Sequence, residues 1–267
     1  MAVFHERRRS SAALWSRRVA AFSVVLLLSA AVAHRFSLVD TVPFFWVLGV
    51  VGGLAVGALI LAANGFSQLW KHGDKGGRDS TYAVIIALLA LAPFLISGYQ
   101  LATLPFLSDI STDLTDPPKL LRAAALRTPA MNPVAIITAE QAALQQRNYP
   151  GVTGRRYDLP PDRVREAIDA VVGEHDWLIV DPGRANMPNG SGLPDVTIEL
   201  AAHTFWLGLP VDVAIRLTDE GETSYVDMRS ASRWMRHDFG DNARRITGFL
   251  AELDTEVTKR LGLAPSD

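Results

Sequence analysis

No cysteine occurs among the 267 residues, so no disulfide can brace the chain, and whatever folds is held by packing. An excess of positive charge is missing too. The formal net charge is −2, which argues against a general nucleic-acid binder, whose basic face would dominate the balance. The most telling absence is local. From Pro43 to Ala63, and again from Tyr82 to Ala102, there is no Asp, Glu, Lys, Arg or His. Each run is about 20 residues long, enough to carry a helix across the hydrocarbon of a bilayer, and buried helices of soluble proteins are seldom so long and so free of charge. Ionisable residues inside a span usually mark a proton or ion path, and their absence disfavours a pump or transporter.

A shorter apolar run, Val19 to Ala33, follows a basic stretch and ends at His34 and Arg35. With Ala31-Val32-Ala33 it has the form of a cleavable secretory signal. The alternative, an uncleaved first span reaching Val39 with Arg18 and Arg35 extending toward the interfaces, is the preferred reading. The spans are then expected at about 19–39, 43–63 and 82–102, within a membrane region 1–102. Five arginines (Arg7, Arg8, Arg9, Arg17, Arg18) in the amino-terminal stretch and Lys71, Lys75 and Arg78 in the second loop, against Arg35 alone in the first, place the tail and second loop in the cytoplasm. Residues 103–267 then lie on the far side of an inner membrane, in the periplasm, whether or not the first run is cleaved. Gly49, Gly53 and Gly57 recur at i, i+4 along the second span. They are expected to let another helix approach, in this chain first or in a second copy of it.

After the third span, LPFLSDISTDLTDPPKL reads as a linker. Asp109, Asp113 and Asp116 lack the glycine and distal glutamate of a calcium loop and are expected to bond backbone amides in turns. Thr138 with Gln141 forms a capping-box pattern ahead of a short helix. Pro161 opens a second helix with Val164, Ile168, Val171 and Val172 on one stripe, and Trp177 to Asp181 reads as a strand. Three segments then alternate with period two, through Val196 to Leu200, Val211 to Leu217 and Ser224 to Arg229. A closing helix from Asp241 carries Ala243, Ile246, Leu250, Leu253, Val257 and Leu261 on one face. The fold class is therefore α+β: three transmembrane helices, then a soluble domain with a curved antiparallel sheet of four to five strands covered on one face by two helices. The other face is expected to be polar and solvated. An acid at Val213 would strike the core, whereas one at Ala214 would be tolerated.

The ordered combination ISTDLTDPP, Tyr149-Pro150, HTFWLGLPVDVAIRL and SYVDMRSASRWMRHDFGDNARRI resembles the uncharacterised bacterial family known as domain of unknown function 1499, over roughly Ser108 to Leu253. Thr112, Asp113, Pro117, Pro118, Asp212, Arg216, Asp227, Arg229, Arg233, Asp238, Gly240, Asn242 and Arg245 are among the best fits, and Trp234 and Met235 depart from the pattern. The resemblance implies a domain boundary and no activity.

No catalytic, metal or cofactor constellation stands out. His175, His203 and His237 are far apart, and Asn189-Gly190-Ser191-Gly192 lacks the strand-to-helix context of a nucleophile turn. Glu199, Asp212, Arg216 and Asp227 are expected on the polar sheet face, held by cross-strand ion pairs or forming a binding face. Arg229, Arg233, Arg244 and Arg245, with Ser230 and Ser232, surround the start of the closing helix, where arginines and free amides could hold an anion. Trp234, Met235 and Phe239 interleave with these charges as a headgroup-contacting loop would. The preferred function is a non-enzymatic binding or scaffolding module with a protein or an anionic envelope component as partner. The alternative is a periplasmic hydrolase or anionic-lipid-handling protein.

Overall fold

The computed structural model describes residues 8–183, 185–186, 195–205 and 207–262. The chain forms two compact units, one ending at Tyr99 and the other beginning at Gln100. Three helices dominate the first: α1 (Ser11–Arg35), α2 (Thr41–His72) and α3 (Gly77–Thr103). All three are long and apolar enough to cross a membrane. Ser10 caps α1 by accepting from the Ala13 amide, and α2 continues well past Ala63 to end at Gly73, whose φ of 69° suits a left-handed helix stop. Most of the expected second loop is therefore helical.

A seam of alanines joins these helices: Ala20, Ala55, Ala58, Ala62, Ala83, Ala87 and Ala90, all fully buried. Their short side chains let backbones approach, as small residues do in membrane helices. Gly49, Gly53 and Gly57 are not part of this seam, for a Cβ at any of them would meet nothing within 4 Å. The expectation of internal glycine packing is corrected accordingly. The inward stripe of α2 is Val51, Ala55, Ala58, Ala62 and Gly65, and at Gly65 a Cβ would collide with Ser80 and Ala13.

The second unit runs β1 (Asp109–Ser111), α4 (Leu121–Ala125), α5 (Ala139–Asn148), β2 (Arg155–Tyr157), α6 (Pro161–Glu174), β3 (Leu178–Asp181), β4 (Ala185–Asn186), β5 (Asp195–His203), β6 (Pro210–Asp219), β7 (Ser224–Ser232) and α7 (Asp241–Arg260). Its sheet is open and antiparallel, in the order β1-β7-β6-β5-β3, with β2 also on β7 and β4 also on β5. Three long strands carry it and short ones extend its edges. The β6–β7 hairpin turns at Gly221, whose amide donates to Asp219 Oδ1 at 2.8 Å.

Period-two alternation sends Ile198, Leu200, Val213, Ile215, Val226 and Met228 to one face, where Ile168 of α6 and Ile246, Phe249, Leu250 and Leu253 of α7 cover them. Leu261 lies just past α7 and is 45% exposed, so it does not belong to the stripe. Two readings of the preceding segment change. The linker contains an edge strand, β1, pairing Asp109 with Ala231 and Ser111 with Arg229. Beyond it, residues 112–137 strap across the opposite face of the sheet, so that face is not open to solvent. Ala214 is fully buried there with Leu120, Ala123 and Ala231. An acid at Ala214 would not be accommodated as on a solvated face.

Candidate functional site

The polar face is a buried ion-pair array between sheet and strap. Arg216 and Asp227, directly opposite in the β6–β7 register, pair at 2.7 Å. Arg216 reaches on to Asp113 at 2.9 Å and Asp116 at 3.1 Å, and Asp227 accepts from the Thr112 hydroxyl at 2.7 Å. Arg229 holds Asp109 through two contacts, of 2.7 and 3.0 Å, and donates to the Ala135 carbonyl at 2.9 Å. Asp212, fully buried, sits between Arg127 and Arg233 at 2.7 and 2.6 Å. Glu199 accepts the amides of Leu121, Arg122 and Ala123 at the start of α4, at 2.8 to 3.0 Å. Glu199, Asp212, Arg216, Asp227 and Arg229 therefore each bond the strap, while Arg233 is held by Asp212.

Asp113 combines the expected turn with an ion pair, accepting from the amides of Thr115 and Asp116 through one oxygen and from Arg216 through the other. Burial alone would raise its pKa, but the two amides and the Arg216 charge outweigh it and hold the carboxyl below its ordinary 3.8. A carboxyl depressed in the folded state stabilises the fold above its unfolded value, and that contribution is lost as pH falls through the folded one. The wild type should therefore lose stability below pH 3.8 more steeply than Asp113→Asn, measured as thermal midpoints at about pH 6 and about pH 3. Parallel curves for the two proteins would remove Asp113 from the array.

The arginines that cluster in sequence do not converge in space. Arg229 and Arg233 lie on the strap side. Ser230 and Ser232, one pleat away, face α7, where Asn242 bonds both hydroxyls at 2.8 and 3.1 Å and Arg245 reaches Ser230 at 3.2 Å and Asp241. Asn242 also donates to the Ser108 carbonyl at 3.0 Å, tying α7 to the segment that follows α3. Asp238 also caps the start of α7, its carboxylate accepting from the amides of Gly240 at 2.9 Å and Asn242 at 3.0 Å and its carbonyl from that of Asp241 at 3.0 Å. Burial raises the Asp238 carboxyl despite these bonds. Of the six residues expected to hold an anion, Arg244 keeps an exposed guanidinium, 56% accessible and 4.0 Å from Asp241.

Arg244 lines a cavity of about 330 Å³ with Leu104, Tyr149, Pro150, Gly240 and Thr247. Tyr149 Oη is buried there and has no hydrogen-bond partner among the described residues. Sequence reasoning passed over Tyr149 except as half of a family dipeptide, and it missed Arg127, whose role depends on a strap with no regular period. The Asn189-Gly190-Ser191-Gly192 segment lies outside the described residues.

A model of the family described as Protein of unknown function (DUF1499) matches residues 109–253, from β1 into α7. No curated protein matches. Among solved structures, CalU16 from Micromonospora echinospora is similar at 17% identity, over 41% of this chain and 76% of that one, with a TM-score of 0.25. That likeness is too slight to carry an argument.

Proposed function

We propose a membrane-anchored binding role for this chain, which belongs to the family described as Protein of unknown function (DUF1499). The helices α1 to α3 are the anchor in a bacterial inner membrane, with the amino terminus and the α2–α3 turn in the cytoplasm and the sheet unit in the periplasm. The lysine and arginine bias of the loops supports this orientation. The unit acts as a binding or scaffolding module rather than a catalyst, with a protein or an anionic envelope component as partner. One observation carries that reading: the acids and bases of the sheet are committed to holding the strap, while the exposed Arg244 borders an open cavity. Groups locked in mutual ion pairs are poorly placed to exchange protons with a substrate.

Orientation is tested by fusing alkaline phosphatase, which is active only outside the cytoplasm, after Asp267. The fusion is expected to be active in intact cells. An inactive, stably expressed fusion would put the module in the cytoplasm and end this reading.

A further inference from the structure

We infer that the cavity between Tyr149 and Arg244 binds the phosphate of a glycerophospholipid drawn from the membrane in which the chain is anchored. This rests on the membrane-anchored reading above and names the partner of the one cationic site residue that remains exposed.

Two donors converge in the cavity. A Cβ built on Gly240 would lie 3.1 Å from Arg244 Nη1 and 3.4 Å from Tyr149 Oη, so both groups approach one point and glycine keeps it clear. Gly240 has φ 72° and Phe239 before it has φ 54°, left-handed conformations that the surrounding structure must hold in place. The Tyr149 hydroxyl is buried without a partner among the described residues, so its donor is free for a group that enters the cavity. Burial, and then the nearby Asp238 charge, push its pKa up to about 12, so it remains a donor at neutral pH. Asp238 already accepts the amides of Gly240, Asp241 and Asn242, so recognition rests on these two side chains. A guanidinium and a phenol suit a phosphate oxygen, which accepts from both.

The third wall identifies the source of the phosphate. Leu104 follows Thr103, the last residue of α3, so the cavity rim lies within about one residue's reach of the helix end. Phe106, two residues later, is 59% exposed and packs edge-on against His237, and Met235 is 37% exposed on the adjoining loop. Apolar side chains beside a span's end fit the interfacial layer, where lipid phosphates lie. The cavity volume falls in the range of about 300–1,000 Å³ usual for small-molecule sites.

The test uses the full chain, delipidated in a neutral detergent and titrated with dihexanoyl phosphatidylglycerol, dihexanoylglycerol or inorganic phosphate, with binding read by native mass spectrometry. Phosphatidylglycerol should bind, with dihexanoylglycerol and free phosphate each at least tenfold weaker. Arg244→Gln and Tyr149→Phe should each weaken phosphatidylglycerol about tenfold or more, the loss of one charge-assisted or buried hydrogen bond. Without lipid, Tyr149→Phe should keep or raise the thermal midpoint, because the hydroxyl has no internal partner to lose. Unchanged lipid binding in Tyr149→Phe, a lowered midpoint in its lipid-free form, or phosphate binding as tight as lipid would each overturn the assignment. Because the chain has no cysteine, one introduced by Ser266→Cys can be labelled in cells with an impermeant maleimide. That labelling reports orientation separately, so a misplaced module and a failed lipid site give different results.

Discussion

Val213→Asp is expected to leave the sheet unit unfolded. Val213 sits at the middle of β6, fully buried, with Leu200 and Ser230 as its neighbours in register. The surrounding cluster of Ile168, Phe249, Leu250 and Leu253 is apolar, and Arg245, which reaches Ser230, is already paired with Asp241. A carboxylate without a partner costs several kcal/mol to bury, and a lost valine adds the hydrophobic contribution of its side chain, about 1.5–3 kcal/mol. Together these approach the whole stability of a typical domain, about 5–15 kcal/mol. Ala214→Asp makes the informative comparison. That site is also buried, but Arg229 stands opposite it across the β6–β7 ladder, so the new charge has a guanidinium within the same array. It should destabilise, and by less. Urea denaturation followed by far-ultraviolet circular dichroism ranks the two, and equal tolerance of both would show that the strand register is wrong.

Asp212→Asn is expected to cost about 3–5 kcal/mol, the usual penalty for removing one member of a buried ion pair. The carboxylate is wholly inaccessible and holds two guanidiniums, Arg127 from the strap and Arg233 just beyond β7, whose side chains are 5% and 15% accessible. Without it the two cations face each other with no intervening charge. Arg127→Ala should cost less than Asp212→Asn because Arg233 still neutralises the acid, and the double variant should be less destabilised than the sum of the singles. Limited proteolysis adds a local readout, with faster cleavage after Arg122 and Arg127 in Asp212→Asn as the strap loosens. A cost below about 1 kcal/mol would put this pair in the class of surface bridges and deny that it fastens the strap.

How much of this could be seen in the sequence depends on element length. The strands β5 to β7 run nine or ten residues, and their alternation sorts core from polar positions without ambiguity. The three-residue β1 and β2 are too short to show any period, and their pairing is dictated by β7. Alternation correctly puts Glu199, Asp212, Arg216 and Asp227 on one face, yet it cannot say what lies over them. Three aspartates just after the third span and two arginines in the final strands are opposite charges that a contact between those segments would match. The same period-two rule, carried past Arg229, separates Ser230 and Ser232 from Arg229 on sequence alone. Arg244 and Arg245 show the limit of reasoning from proximity along the chain: neighbours on a helix point about 100° apart, and one is buried in a hydrogen-bond knot while the other faces the cavity.

The strap also sets an order of events in making the protein. The strap and β1 before it leave the ribosome soon after the third helix, yet Thr112 finds Asp227 across 115 positions and Asp109 finds Arg229 across 120. Until β7 has been synthesised, Ile110 and the strap acids have nowhere to dock, and closing so large a loop is slow. Completion of the fold therefore waits for the final hairpin. A chain that stops short of Ser224 would present a tethered, half-built sheet with its acidic strap loose, an obvious substrate for proteases working at the membrane surface.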